Sequence, residues 1–491
     1  MVCAALACHG AAPDVPVAFT EVTDDRMPTV AQADVLGGDR FWGPGAAAGD
    51  VDGDGRVDLY LSGGGLYLNR NDPRGFRFER APVQPAEPGF DVLGAVFADV
   101  DRDGDLDLTL CGAGGVRLLA NDGTGAFEDV TQAAGIAVPA TDVCVETAWG
   151  DLDGDGFPDL SVATYGSPGD RADAEVGHLY LNNRDGTFRE ATDAVGGPDR
   201  ARRSLTTAFA DFDGDGAVDL YFGDDQFIEL ESGQPRGDLV FLNRGLDDQG
   251  RLQLEEASET LGLDGFRATM GCAFGDPART GGWDLLFSDV FRIWIYHRSP
   301  GGSAFEDVTL ARGDDLRGPP EEKWVMWGGQ FADFDGDGYE DALVAQAPVL
   351  FGERNQERLG PVLLRNRGGT FERVRYAFGG PLLARGTLLA DLDGDGDDDV
   401  VTAPLFGPFR AFVNDTAPRD AVRVRLVGTV SEPGAAGAVV VATAGSVAQQ
   451  RMVVAGCRPF AEGPPVVDIA LAGATSMDLQ IAWPSGARQR V

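Results

Sequence analysis

The sequence predicts an all-β protein: a seven-bladed β-propeller with four-stranded blades, followed by a small β-rich C-terminal domain. The first observation is a short acidic frame, Asp-x-Asp-x-Asp-Gly-x-x-Asp, that occurs in six intact copies and one degenerate copy. Successive copies start 49 to 65 residues apart, a period typical of propellers and solenoids. The second observation is that a repeat such as the third contains four short apolar runs, which favours a propeller blade. The third is that residues 18–23 repeat the fourth run of later units, although no blade precedes them.

The acidic frame predicts a calcium loop. In the copy from Asp50 to Asp58, carboxylates stand at positions one, three, five and nine, and Gly55 at position six permits a sharp turn. Ca²⁺ takes about six to eight oxygen ligands, whereas Mg²⁺ retains its waters and Zn²⁺ prefers Cys and His. A single copy could be an ordinary acidic turn, but six copies in one register favour metal loops. An EF-hand is excluded because position twelve is Leu61 here and Leu110 in the second copy, where Glu is needed.

Six loops are therefore expected to hold one structural calcium ion each, bound by the acidic positions and by the backbone carbonyl of position seven. The predicted ligands, loop by loop, are Asp50, Asp52, Asp54, Arg56 and Asp58; Asp99, Asp101, Asp103, Asp105 and Asp107; Asp151, Asp153, Asp155, Phe157 and Asp159; Asp211, Asp213, Asp215, Ala217 and Asp219; Asp333, Asp335, Asp337, Tyr339 and Asp341; and Asp391, Asp393, Asp395, Asp397 and Asp399. The degenerate copy runs from Asp276 to Asp284. It has Ala278 and Thr280 at two Asp positions, so no ion is expected in blade five.

The third repeat shows how the strands of a blade are expected to follow one another. The apolar runs predict strands over Thr141–Trp149, Leu160–Thr164, His178–Asn182 and Phe188–Thr192, with the metal loop between the first two. An Asn ends the third strand in six repeats, where it favours a turn: Asn69, Asn121, Asn182, Asn243, Asn366 and Asn414.

The ring is expected to close through its N-terminal segment. Residues 18–23 are predicted to supply the outer strand of blade seven, since that repeat has no fourth run of its own after Asn414. The alternative is a separate N-terminal strand outside the ring.

The repeats resemble a known family. The frame with its preceding aromatic-small-Asp, as in Ala208–Asp211 and Gln330–Asp333, is similar to the FG-GAP/VCBS repeats of integrin alpha-subunit propellers. The pairs Met270-Gly271, Trp327-Gly328 and Arg385-Gly386 resemble landmarks of the cartilage acidic protein/UnbV group. Residues 420–491 resemble the ASPIC/UnbV domain of that group through Val422–Gly428, Gly437–Val441 and Trp483–Gly486. The His-Phe-Gly-Leu-Gly stretch common in that domain is replaced here by Val467–Gly473.

This resemblance implies a secreted, calcium-binding, adhesion-like protein. It divides the chain into a tail (1–16), a propeller (17–419) and a C-terminal domain (420–491). An extracellular, periplasmic or outer-surface location is expected, because loops of this kind often bind calcium at about 10⁻⁴–10⁻³ M. Cys8 follows small residues like the lipid-anchored Cys of a bacterial lipoprotein, and a chance match is the alternative.

Composition limits the partners. The 491 residues carry a formal charge of −39, which argues against nucleic acid and anionic membranes, and six Ca²⁺ ions would reduce it to −39 + 12 = −27. No apolar run is long enough to span a bilayer, and a monomer is expected. Cys111, Cys144 and Cys272 are expected to be buried free thiols, with a Cys111–Cys144 disulfide as the alternative.

A protein or carbohydrate partner is expected on the face opposite the calcium loops, because long loops on a rigid scaffold often carry function. The candidate residues lie in three long loops and in blade-linking segments: Trp42, Tyr165, Arg202, Arg203, Asp225, Phe227, Trp324, Trp327, Phe351 and Arg354. For the three Trp residues the alternative is packing between blades, and for the long loops it is neutral insertion.

An enzyme is the less favoured function. None of His9, His178 and His297 lies beside a Ser or Cys in a nucleophile motif, which argues against triad chemistry and leaves no catalytic residue to name. Lyase- or dehydratase-type chemistry on a small molecule at the central opening of the propeller remains the alternative, because such a site has no linear signature.

Overall fold

The computed structural model describes residues 17–28, 43–72, 75–85, 89–165, 177–196, 203–225, 237–290, 292–313, 316, 324–348, 360–374, 377–380, 382–405, 407–416, 421–471 and 473–491. Seven antiparallel sheets of four blade strands each follow one another, and two further sheets come from the C-terminal part of the chain. The predicted fold class, an all-β seven-bladed propeller with a small β-rich C-terminal domain, is confirmed.

Each blade contains its strands in chain order from the centre outwards. Blade one comprises Ala46–Gly49, Asp58–Leu61, Gly65–Asp72 and Gly75–Arg80. Blade two comprises Val92–Ala98, Asp107–Gly112, Gly115–Asn121 and Phe127–Asp129. Blade three comprises Cys144–Gly150, Asp159–Thr164, His178–Asn182 and Phe188–Glu190. Blade four comprises Ser204–Ala210, Asp219–Asp224, Leu239–Leu246 and Leu252–Glu256. Blade five comprises Gly271–Gly275, Trp283–Asp289, Arg292–Arg298 and Glu306–Asp307. Blade six comprises Trp324–Ala332, Asp341–Pro348, Val362–Asn366 and Phe371–Val374.

Blade seven is closed by the N-terminus. Its chain-order strands Ala384–Ala390, Asp399–Pro404 and Arg410–Asn414 are completed by Phe19–Glu21, which pairs antiparallel with the third strand. The Phe19 ring packs 5.6 Å from Phe334 and 4.9 Å from Phe378, centroid to centroid, so this strand also anchors to blade six. The predicted closure by residues 18–23 is confirmed, and the strand covers an edge that would otherwise expose unpaired backbone groups.

Large aromatic residues fill the space between blades. Between blades four and five, Phe212 lies edge-on to Phe274 at 4.7 Å and parallel to Tyr221 at 5.6 Å, within one continuous apolar cluster. Because neighbouring blades share such clusters, each blade is stabilised mainly by the two beside it.

The C-terminal domain (residues 421–491) forms two small sheets. Ala421–Arg425 pairs with Val466–Ala470, and a four-stranded sheet consists of Val447–Met452, Val439–Ala444, Asp478–Ala482 and Arg488–Arg490. Val440, Ile469 and Ile481 belong to its own apolar core. The domain lies on the propeller face that carries the loops between first and second strands, where Arg423 contacts Asp398 and Arg102 contacts the carbonyl of Thr429.

One segment of this domain enters the centre of the propeller. Residues 454–463, called the plug segment here, add Ala455–Gly456 to the inner strand of blade four and Ala461–Glu462 to that of blade one. The plug segment also contacts the inner strands of the other five blades, for example through the Phe460 ring against Trp327 at 5.8 Å. The central channel is therefore occupied by the protein's own chain.

Two disulfides correct the expectation for the cysteines. Cys111 bonds to Cys144 across blades two and three, which was the alternative, and Cys272 of blade five bonds to Cys457 of the plug segment. The expectation of free thiols at Cys111, Cys144 and Cys272 is wrong, because each buried sulfur faces a second Cys on an adjacent strand or on the plug segment.

Helices contribute little. The described residues include two four-residue α-helices, Thr23–Arg26 and Thr309–Arg312, and one 3₁₀-helix, Thr192–Val195. Within the described ranges no helix is long and apolar enough to cross a membrane.

Candidate metal loops and the opposite face

Each acidic loop is shaped by its first Asp. In blade one the carboxylate of Asp50 accepts hydrogen bonds from the backbone N–H groups of Asp54 (3.0 Å) and Gly55 (2.9 Å), and Asp151 does the same in blade three. Gly55 has φ +85°, which favours glycine, so position six turns the backbone around the carboxylates. The residue types of the frame thus dictate the loop before any ion is considered.

The last Asp of the frame ties the loop to its blade. In blade one the two oxygens of Asp58 accept the N–H of Val51 (3.1 Å) and the N–H of Asn69 (2.8 Å). The equivalent pair of bonds occurs in all six intact loops. Each oxygen keeps a second lone pair, so the same carboxylate can also face a cation.

The carboxylates converge as a metal site requires. In blades one, three and four, oxygens from positions one, three and nine lie within 4.8 Å of one another, and in blades two and six those from positions one, three and five do. Three of these carboxylates, Asp52, Asp99 and Asp153, each have a buried Oδ1 with no donor within the part of the chain that the structure describes. Converging hard oxygens with unused lone pairs are the donor set that Ca²⁺ prefers.

Electrostatics also favour a bound cation. Burial, together with the charges of neighbouring Asp residues, raises the pKa of Asp58 and of Asp107 to about 7. The same causes raise the pKa of Asp219 to about 8 and that of Asp151 to about 6. A divalent cation would remove this penalty, because it offsets both the desolvation of the carboxylates and their mutual repulsion.

Arginines supply part of the positive charge at the loop rims. Arg70 Nη1 lies 2.9 Å from Asp52 and 2.8 Å from Asp54, and Arg244 Nη1 lies 3.0 Å from Asp213. These half-exposed pairs leave the carboxylate oxygens that face the loop centre to other partners, and exposed pairs of this kind contribute little to stability.

In the degenerate loop of blade five, cationic side chains contact the Asp at position nine. Asp276 still accepts the N–H groups of Thr280 (2.8 Å) and Gly281 (2.9 Å), so the turn persists. Asp284, however, is held by Arg312 at 2.6 Å and by the imidazole of His297. This arrangement is compatible with the prediction that blade five binds no ion, which stays a prediction.

The recurring Asn residues link the blades. The side-chain amide of Asn182 donates to the Val100 carbonyl of the preceding blade (3.0 Å) and to Pro158 in its own blade (3.1 Å). Equivalent inter-blade bonds from the other Asn residues join blade one to seven, two to one, four to three, six to five and seven to six. Blade five has no such Asn, and there Arg298 donates to the Phe212 carbonyl of blade four.

On the opposite face, which carries the blade-linking segments and the loops after the second strands, three candidate residues come together. The Tyr165 hydroxyl donates to Asp225 at 2.7 Å, and the guanidinium carbon of Arg203 lies 5.2 Å from the centre of the Tyr165 ring. Tyr165 and Asp225 are buried, whereas Arg203 is partly exposed. Of these three residues, Arg203 is the one whose side chain is accessible from the surface.

The other candidates fare differently. Trp327 is 1% exposed and packs between Arg385, 3.8 Å from its ring centre, and Phe460, so the alternative of interior packing holds for it. Trp324 begins the inner strand of blade six. The remaining candidates, Trp42, Arg202, Phe227, Phe351 and Arg354, lie outside the described residues, as do Cys8 and the 1–16 tail.

Among the described residues, side chains of the inner strands and of the plug segment fill the centre of the propeller, where the enzymatic alternative expects a site. Towards the opposite face, Val145, Met270, Trp327 and Phe460 close the channel in one apolar cluster. A cavity of about 110 Å³ lies on the other side, between the C-terminal domain and blades five to seven. A polar cavity of that size holds a few waters.

Comparisons with known proteins found similar repeats and similar solved structures. Residues 50–110, 99–162, 151–222 and 333–402 match a family model described as an FG-GAP-like repeat. Similar solved structures include an Agrocybe aegerita lectin reported to recognise non-reducing terminal N-acetylglucosamine (20% identity, 67% of this chain and 79% of that chain, TM-score 0.41). Another is BBS1N in complex with ARL6DN (10% identity, 77% of this chain and 94% of that chain, TM-score 0.42). A third is the Dos1 propeller (10% identity, 77% of this chain and 94% of that chain, TM-score 0.40). No curated protein matches the sequence.

Sequence reasoning missed three features. The inter-blade bond of the Asn residues had a signal, namely their recurrence in six repeats and absence from blade five. The plug segment and its disulfide had none, because Cys457 belongs to no repeat. Glu146, which accepts the N–H groups of Arg458 (2.6 Å) and Thr207 (3.0 Å) inside the channel, also lies outside any motif.

Proposed function

We propose that this β-propeller, whose repeats are similar to FG-GAP-like repeats, is a secreted or surface-anchored calcium-binding protein that binds a protein or carbohydrate partner on the face opposite its calcium loops. The observation that carries this proposal is the position of the C-terminal domain. It covers the loop face, and its plug segment fills the channel. The opposite face, with its long loops, is then the surface on which a partner has room to bind.

Calcium is structural in this proposal. Its support is the converging carboxylates, the buried oxygens of Asp52, Asp99 and Asp153 without donors, and the raised pKa values of the loop Asp residues. The acidic positions and the position-seven carbonyls of the six intact loops would hold the ions. A bound Ca²⁺ would supply charge neutralisation and fix the loop conformation.

An oxidising compartment fits the chain. Two disulfides, Cys111–Cys144 and Cys272–Cys457, are typical of secreted, periplasmic or surface proteins, and weak calcium sites suit the same compartments. We extend the proposal to a lipid anchor at Cys8 and to an ASPIC/UnbV domain over 420–491, with kinship to the cartilage acidic protein group.

Glycan-array and cell-surface binding of the purified protein in calcium tests the function. Arg203→Glu should weaken any binding found, because Arg203 is the exposed member of the cluster on the opposite face. Arg490→Glu, which changes the same charge on the C-terminal domain, is the matched control and should bind like the wild type. If binding were lost with Arg490→Glu and kept with Arg203→Glu, the partner would bind on the side of the C-terminal domain. That result would contradict the proposed binding face.

A further inference from the structure

The C-terminal domain contacts residues of the acidic loops themselves. In blade two, Arg102 at loop position four donates to the Thr429 carbonyl at 2.8 Å. In blade three, Gly156 at position six comes so close to Val430 that an added Cβ would lie 2.5 Å from its carbonyl oxygen. In blade four, Val218 at position eight would meet a Cβ added to Gly437 at 2.9 Å.

The same pattern continues around the ring. In blade six, Glu340 at position eight pairs with Arg451 of the C-terminal domain at 3.1 Å. In blade seven, Asp398 at position eight binds Arg423, which is also held by Asp468 at 2.8 Å. The docking contacts thus come mostly from positions four, six and eight, whereas the expected ligands are positions one, three, five, seven and nine.

Blade five shows what happens where no ion is expected. There the carbonyl of Gly282, at position seven, accepts a hydrogen bond from Gln450 of the C-terminal domain at 2.6 Å. In an intact loop that carbonyl is an expected calcium ligand. In the degenerate loop the domain thus bonds a position that an ion would otherwise use. In the intact loop of blade seven, Arg423 also lies 3.7 Å from the first carboxylate, that of Asp391.

At the loops of blades two and three, like charges oppose this docking when no ion is bound. Burial raises the pKa of Glu432 in the C-terminal domain to about 7, and the like charges of the nearby Asp151 and Asp99, the first carboxylates of blades three and two, contribute to the rise. Four or more Asp side chains in each intact loop repel one another and the incoming acid. A Ca²⁺ ion in each loop would offset that repulsion. By holding the ligand positions, it would also fix positions four, six and eight, which contact the C-terminal domain.

We infer that the calcium-filled loops are the docking surface of the C-terminal domain, so that calcium holds this domain and its plug segment in the propeller. This inference rests on the proposed calcium sites. The Cys272–Cys457 disulfide keeps the plug segment attached when the loops are empty, so undocking would be local and reversible.

Hydrogen exchange with and without calcium tests the inference, with the bound calcium measured by mass spectrometry in the same samples. After EDTA, exchange should rise at amides that seat the domain, such as Cys457 N–H bonded to Thr207 and Ala46 N–H bonded to Phe460. At ten times the dissociation constant, each ion that supports docking contributes about a ten-fold factor to the docking equilibrium. Middle strands of the blades should stay protected.

Matched variants separate docking from general loss of metal. Asp155→Asn removes a ligand from blade three, whose loop contacts Val430, and should raise exchange in 454–463 by about ten-fold in calcium. Asp54→Asn removes the equivalent ligand of blade one, whose Asp54 contacts Arg56 and Arg70 within its own blade, and should leave that exchange unchanged.

The outcomes distinguish the two proposals. Exchange in 454–463 that stays constant in protein shown to have lost its ions would overturn the docking inference and leave the calcium sites standing. Purified protein that binds no calcium at all would overturn the metal assignment, and the docking inference with it.

Discussion

At the scale of single residues, the repeated Asn shows how one side chain can join two blades. The side chain of Asn182 bonds to a carbonyl of the preceding blade and to one of its own, while its backbone N–H donates to Asp159. One residue type thus connects the metal loop, its own blade and the neighbouring blade. The sequence shows its recurrence, but a turn preference explains the recurrence as well as an inter-blade bond does.

Asn182→Ala should lower the free energy of unfolding by about 1–3 kcal/mol, because two buried carbonyls lose their donor. Asn183→Ala is the matched control: its neighbouring, exposed side chain bonds only to Thr187 in the turn and should change stability by less than about 0.5 kcal/mol. Urea unfolding of both variants checks this. Equal losses would show that the turn, and not the inter-blade bond, accounts for Asn182.

A second residue-scale prediction concerns Glu146. Burial, together with the charge of the nearby Glu462, raises its pKa to about 8. The folded protein therefore holds a proton that the unfolded chain loses near its ordinary pKa of 4.5. Between these two values stability falls as pH rises, because the charged form is disfavoured only in the folded state.

Glu146→Gln should therefore flatten the decline in unfolding midpoint between about pH 5 and about pH 8, although it lowers stability at the acidic end by removing one acceptor. The exposed Glu128→Gln is the control and should follow the wild-type slope. A Glu146→Gln slope parallel to the wild type would contradict a protonated carboxyl in the channel.

At the scale of elements, the blades were predictable and the plug segment was not. Each strand and loop of blade three follows from local periodicity and from the acidic frame, because those signals repeat every blade. Ala455–Gly456 and Ala461–Glu462 are two-residue strands that pair with blades far away in the chain, and such short segments carry no periodicity. The candidates on the opposite face were placed by topology, which fixes the face but not whether a side chain such as Trp327 is exposed.

The two disulfides are expected to stabilise the protein by different amounts, because the one in the plug segment joins residues farther apart in the chain. Cys272–Cys457 closes a separation of 185 residues and Cys111–Cys144 one of 33, and longer loops restrict the unfolded chain more. Replacing the first pair by Ser should therefore destabilise the protein by about 1.5 kcal/mol more than replacing the second. Denaturant unfolding of the two double variants measures the difference. A larger loss from the Cys111–Cys144 pair would mean that local packing, not chain restriction, dominates.

At the scale of the whole molecule, calcium and net charge are coupled. The chain carries a formal charge of −39, and many of its Asp residues converge in six loops on one face beneath the C-terminal domain. Folding brings these charges together, so the ring is assembled against its own repulsion unless cations are present. Stability of the entire propeller should therefore depend on calcium, even though each site is local.

If each of six sites binds calcium at ten times its dissociation constant, linkage adds about 1.4 kcal/mol per site and about 8 kcal/mol in all. Net stabilities of folded domains are only about 5–15 kcal/mol, so excess EDTA should lower the melting temperature steeply or unfold the protein. Adding Ca²⁺ back should restore the melt, and Mg²⁺ at equal ionic strength is the control for simple charge screening. A melting temperature unchanged by EDTA would refute structural calcium. Full rescue by Mg²⁺ would show instead that the loops are acidic clusters whose repulsion any divalent cation screens.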